Sequence, residues 1–122
     1  MTARVTAGDP LYVRDALREL AVASDGKTRR TVAVLGNLPG TREELMDLGR
    51  FLVRLDISVL VVVGDAGPVH AGAVLEGSWG EESRHVATEE DAVALLRAEL
   101  RDDDVVLVSG LSRVRAALEA CA

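Results

Sequence analysis

The sequence predicts a three-layer α/β domain, a mostly parallel sheet with helices on both faces. Three observations carry this. Short apolar, largely β-branched runs alternate with helical patterns of about ten or more residues. Three of the runs end in the same way, AVLG at Gly36, VVVG at Gly64 and LVSG at Gly110. No linker and no fixed-period repeat divides the 122 residues, so 1–122 reads as one domain.

Each element follows from local chemistry. Ala3 to Ala7 is a short strand. Asp9 and Pro10 signal a helix start, because aspartate caps free backbone N–H groups and proline suits the first helical position. Leu11, Val13, Ala16, Leu17, Leu20 and Ala21 follow with helical spacing, and Ser24-Asp25-Gly26 ends that helix. Thr31 to Leu35 is a buried strand. Thr41 and Glu44 make a capping-box pattern, and Leu45, Leu48, Leu52 and Leu55 give the helix behind it one apolar face. Ile57 to Val63 is a continuous run, as expected of a strand buried on both faces. Ala66 to Leu75 is a weaker helix, Glu76 to Ser83 a polar loop and Arg84 to Ala87 a short strand. Thr88 with Asp91 caps a helix carrying Ala92, Val93, Leu95, Leu96 and Leu100. Val105 to Val108 is the next strand, and Ser112 to Ala120 the final helix.

Composition narrows the function. Hydrophobic residues are 48% of the chain but aromatics only 2%, so the core must be Val, Leu and Ala. The net charge of −6 argues against nucleic acid or an anionic membrane as partner, both being polyanions. The single cysteine, Cys121, cannot form an intrachain disulfide, which fits a reducing cytosol and a cytoplasmic location. Met1 to Gly8 has no apolar core, so no signal peptide is expected. The longest apolar run is too short to span a bilayer.

The carboxyl ends of parallel strands share one edge, where ligands usually bind. Gly36, Gly64 and Gly110 mark that edge as a candidate site, against the plainer reading that each glycine only permits a turn. None of the exits is a phosphate loop. That motif, GxxxxGK(S/T), places a lysine on the phosphates and a hydroxyl on magnesium. Here Gly40 follows Gly36 at the wrong spacing, and Thr41-Arg42 stands where Lys-Ser/Thr should be. GxGxxG is absent too. The helix starting at Thr41 can attract an anion, but Glu43 and Glu44 already occupy that field. His70 and His85 lack a partner at metal-ligand spacing. His70 reads as a solvated loop histidine and His85 as packing at a strand edge. Asp102-Asp103-Asp104 reads as a solvated turn. Trp79, in a Gly-rich loop, is either a partner contact or a local packing plug. No catalytic residue and no metal ligand is assigned.

In order along the chain, these segments resemble a known family. Gly8-Asp9-Pro10 with Leu11-Tyr12-Val13-Arg14-Asp15-Ala16-Leu17 is similar to the "NANP…S-M-…-A-L" segment of Mur ligase C-terminal domains. Thr31-Val32-Ala33-Val34-Leu35-Gly36 resembles their "R-…-A-V-L-G-D/E-M" strand, and Leu48-Gly49-Arg50 the "V-G" helix that follows. Val61-Val62-Val63-Gly64 resembles the "V-G" exit, and Asp103 to Gly110 resembles "G-D-V-V-L-V-K-G-S-R". The likeness covers almost the whole chain and is nearest the MurF-type branch, which adds D-alanyl-D-alanine to a UDP-N-acetylmuramoyl tripeptide.

The resemblance implies a Rossmann-like sheet and a substrate-positioning role within an ATP-dependent ligase of peptidoglycan-precursor synthesis. It implies a central domain as partner, holding ATP and magnesium, with UDP-muramoyl peptide or D-Ala-D-Ala as substrates. By itself the domain would bind no cofactor and would not be catalytic. It implies substrate-binding roles for Asp9, Gly36, Asn37, Gly64, Gly110, Ser112 and Arg113. Departures are visible: Ala7-Gly8-Asp9-Pro10 replaces NANP, Ser109 replaces a lysine, and Leu111 separates Gly110 from Ser112-Arg113. Two other readings stand beside it. One is a non-catalytic α/β binding or interaction module; the other is a regulatory domain reading an anion at Arg113 and Arg115.

Overall fold

The computed structural model describes residues 3–24, 28–77 and 82–121. Within them strands and helices alternate: β1 (Arg4–Gly8), α1 (Val13–Val22), β2 (Thr31–Gly36), α2 (Arg42–Arg54), β3 (Val59–Val63), α3 (Gly67–Glu76), β4 (Ser83–Val86), α4 (Glu89–Glu99), β5 (Val105–Ser109) and α5 (Ser112–Cys121). Single 3₁₀ turns, Pro10–Tyr12 and Gly64–Ala66, lead into α1 and α3. The strands form one sheet in the order β1-β5-β2-β3-β4. Every pairing in it is parallel.

Side chains of a strand alternate between faces, and that splits the core in two. Ala33, Leu35, Leu60, Val62 and Leu107 pack with Leu17 and Leu20 of α1, Leu45, Leu48 and Leu52 of α2, and Val69 and Ala73 of α3. Val32, Val34, Val61, Val63, Val106 and Val108 pack on the other face with Ala92 and Leu96 of α4 and Val114 and Leu118 of α5. Both faces of the central strands are therefore dry, which is why their sequences run apolar without alternation.

The capping chemistry is in place. The Asp9 carboxylate accepts from the Leu11 amide at 2.9 Å. Thr41 and Glu44 close their box in both directions, at 3.2 and 3.1 Å. The Thr88 hydroxyl accepts from the Asp91 amide at 3.1 Å.

Three expectations are corrected. Leu11 does not join the apolar face of α1, because the 3₁₀ turn places it ahead of the helix, 71% exposed. His70 is not a loop residue; it lies in α3, part-buried, 2.6 Å from the hydroxyl of buried Ser83. The Asp102–Asp104 turn is not solvated throughout, because Asp104 is buried. Its carboxylate accepts from the Arg30 guanidinium at 2.6 Å and from the Arg101 amide at 2.9 Å. Asp25, Gly26 and Trp79, and the side chain of Cys121, lie outside the described residues.

Helices α2 and α3 touch backbone to backbone. A Cβ on Gly49 would collide with the Val69 carbonyl, and one on Gly72 with the Met46 carbonyl. Gly49→Ala or Gly72→Ala should therefore cost about 1–3 kcal/mol by overpacking, read as a lower urea midpoint. Asp104→Ala removes the buried acceptor of the half-buried Arg30 guanidinium and of the Arg101 amide and should cost about 1.5–3 kcal/mol. Asp47→Ala, which breaks the exposed Arg50–Asp47 pair, should cost about 0–1 kcal/mol. Equal midpoints for the two aspartate variants would contradict this account.

Candidate functional site

All five strands run the same way, so their carboxyl ends form one edge. At that edge the connections diverge. β1 and β2 exit toward the face covered by α1 and α2, whereas β5, lying between them, exits toward α5 on the opposite face. Neighbouring strands whose exits part in this way leave the crevice where open α/β sheets bind ligands.

Small residues let the walls of this crevice meet. Gly110 has φ 78° and Asn37 φ 50°, both left-handed. A Cβ on Gly110 would collide with the Gly36 carbonyl, and one on Gly36 would press into Leu111. The Asn37 side-chain amide donates to the Gly110 carbonyl at 2.8 Å and so bridges the two exits. The Ser109 hydroxyl donates to the Gly8 carbonyl at 3.0 Å, tying the end of β5 to the end of β1. Ser109, which stands where the resembled motif has a lysine, is fully buried and structural.

The sequence candidates thus separate. Gly36, Asn37 and Gly110 meet at one point, with the Asp9–Pro10 turn beside it: Pro10 lies against Gly110. Ser112 begins α5 at the same edge. Arg113 turns away toward α4, where its guanidinium donates to Glu90 at 3.1 Å. Its backbone N–H donates to Glu89 at 3.0 Å, and the Val114 N–H reaches the same oxygen at 3.3 Å. Glu89 therefore sits at the start of α5 where an anion would bind. A hydrogen bond from its own backbone N–H, followed by the one from Arg113, holds the Glu90 carboxyl below the usual range. Arg115 pairs with Glu119 at 3.0 Å. The anion reading at Arg113 and Arg115 thus finds both cations already paired.

Gly64 belongs to a separate group farther along the edge. It has φ 66°, and its carbonyl lies 2.6 Å from His85 Nε2. The His85 ring packs on Gly67 and lies 6.3 Å from the His70 ring. Sequence spacing kept the two histidines apart, 15 positions from each other in separate elements; parallel pairing of β3 and β4 brings them together. Among the described residues no three His, Cys, Asp or Glu converge to hold a metal.

Open space flanks the bridged crevice. A cleft of 520 Å³ lies between the Pro10–Arg18 segment and residues 39–48. A second, of 230 Å³, lies between Ala7-Gly8 and Ser112 with Arg115. The first is the larger and has an apolar rim from Leu11 and Tyr12, both exposed.

Partial burial, together with neighbouring His85, lowers the pKa of His70 below the ordinary imidazole value of about 6.5. The fold favours neutral His70, so the unfolded chain takes up the proton first. The contribution to stability is complete above that unfolded value and is lost as pH falls through it toward the lowered folded one. His70→Asn keeps a polar partner for Ser83 but cannot titrate. Denaturation between pH 5 and 8 should show a shallower acid-side fall in the variant; an unchanged slope would show that His70 does not carry it.

Comparison with known proteins bears on the family and the fold. The family described as "Mur ligase, glutamate ligase domain" matches residues 7–111. The UDP-N-acetylmuramoyl-tripeptide--D-alanyl-D-alanine ligase of Mycobacterium leprae (strain TN) is 42% identical over 117 residues, covering 82% of this chain. That of Mycobacterium tuberculosis (strain H37Rv) is 44% identical over 116 residues, covering 76% of this chain. The chain spans only 23% of the length of either relative. Among solved structures, MurF from Acinetobacter baumannii superposes with a TM-score of 0.66 at 20% identity. The match covers 98% of this chain and 26% of that one.

Proposed function

Because the chain belongs to the family of Mur ligase glutamate ligase domains and corresponds to the C-terminal domain of its MurF-type members, we propose that it positions substrate for amide-bond formation in peptidoglycan-precursor synthesis. The observation that carries this is the match over residues 7–111 joined to a span of 23% of the ligase relatives. The reaction belongs to the assembled ligase. A central domain would hold ATP and magnesium; the tripeptide carboxylate would take the terminal phosphoryl group of ATP, releasing ADP, and the amine of D-alanyl-D-alanine would form the amide by displacing inorganic phosphate. This chain contributes geometry: a bound amine held at its target gains the large effective concentration of an intramolecular reaction. Domain closure delivers it.

The carboxyl edge is the surface that faces those substrates in this reading. Asp9, Gly36, Asn37, Gly110 and Ser112 shape it; Gly64 and Arg113 extend it toward β4 and α4. Such a ligase works in the cytoplasm, and no helix among the described residues is long and apolar enough to cross a membrane.

The test is reconstitution. The chain is mixed with the separately expressed remainder of a MurF-type ligase, ATP, magnesium, UDP-muramoyl tripeptide and D-alanyl-D-alanine. Ligation product and ADP should appear only when every component is present. Asn37→Ala, which frees the Gly110 exit, should lower the rate about tenfold to a hundredfold while the chain stays folded. Failure of the parent chain to restore ligation would favour a non-catalytic interaction module instead.

A further inference from the structure

The 520 Å³ cleft between the start of α1 and the β2–α2 connection carries a charge pattern that the helices do not themselves require. Its size falls within the range of roughly 300–1,000 Å³ usual for small-ligand sites. Each carboxylate on its walls already has a partner. Asp15 accepts from Arg18 at 3.0 Å, Asp47 from Arg50 at 2.7 Å, and Glu44 from the Thr41 amide at 3.1 Å. Arg14 differs. Its guanidinium lies 4.7 Å from the centre of the Phe51 ring, beside Arg18 at 5.2 Å. No carboxylate among the described residues pairs with it. Stacking on an aromatic ring holds a guanidinium while leaving N–H groups for a planar acceptor. The neighbouring rim is apolar, with Leu11 71% and Tyr12 64% exposed.

We propose that Arg14, stacked on Phe51, binds the C-terminal carboxylate of a short peptide with small side chains in this cleft. The inference rests on the reading above and deepens it: Arg14 becomes the residue that selects the incoming dipeptide by its free acid end. A carboxylate suits the cleft better than a phosphate. A dianion would meet Asp15, Glu44 and Asp47 on the same walls, whereas a monoanion is matched by a single guanidinium fork.

The chain is titrated with D-alanyl-D-alanine, with its C-terminal amide and with inorganic phosphate. Binding is followed by ¹⁵N NMR of backbone amides and arginine Nε–H. The dipeptide should give saturable shifts at Arg14 Nε and at the Tyr12 and Gly40 amides. Binding should weaken at least about tenfold for the amide and for Arg14→Gln, with Arg14→Lys between them, since lysine keeps charge but not the fork. Spectra that superimpose outside the cleft show that the variants are folded, and the amide probe needs no variant. No saturable response to the dipeptide, equal binding of acid and amide, or a Kd unchanged in Arg14→Gln would each overturn the proposal, as would phosphate binding tighter than the dipeptide. In the reconstituted ligase, Arg14→Gln should raise KM for the dipeptide and leave KM for ATP unchanged. Restored ligation with an unchanged dipeptide KM sinks the inference alone. No ligation with the parent chain sinks the functional reading, and the titration still decides on Arg14.

Discussion

The ends of β2 and β5 approach more closely than any side chain would permit. Gly110 lies against the Gly36 carbonyl in a left-handed conformation, and Asn37 spans the gap with one hydrogen bond. This contact fixes where the two central exits part, one toward α2 and one toward α5. The positions of the Asp9–Pro10 turn, the residues leading to Thr41 and the first turn of α5 all follow from it. A side chain at either glycine would have to move a backbone carbonyl or Leu111, and the edge would splay.

The opposite edge is secured by different chemistry. There the buried Asp104 carboxylate gathers Arg30 and the Arg101 amide beneath the start of β5. Between the edges the core is branched aliphatic on both faces of the sheet. With almost no aromatic side chains to fill space, close packing depends on short distances between backbones, as where Gly49 and Gly72 bring α2 onto α3. Stability is thus concentrated in the sheet and its amino edge, which leaves the carboxyl edge free to carry small and strained residues.

Much of this was legible in the sequence because its signals are local. The Thr41–Glu44 box and the Thr88 cap act within one turn, and the Val/Leu runs report burial on both faces at each strand. The glycine exits announced the edge. What remained hidden is contact between distant parts of the chain. Asp104 looked like a turn residue because Arg30 is 74 positions away. Nothing in the Thr88–Asp91 cap showed that Glu89, between them, also caps α5. Arg113 looked like an anion ligand until Glu90 faced it. His70, within the helix expected over Ala66 to Leu75, looked solvated because Ser83, which it meets, lies 13 positions away in β4. The Arg14–Phe51 stack joins two helices whose separate patterns say nothing of their crossing. Family likeness supplied the order of the segments, but no motif in it revealed which partners had already claimed its charged residues.

The functional reading needs an edge that is preformed and that the two glycines hold in place. Amide hydrogen exchange on Gly110→Ala beside the parent chain tests this most directly. The account predicts faster exchange at Asn37, Leu38 and Leu111 and in the first turn of α5, with Val32–Val34 and Val106–Val108 still protected. Exchange unchanged at the edge, or accelerated evenly across the whole sheet, would contradict it.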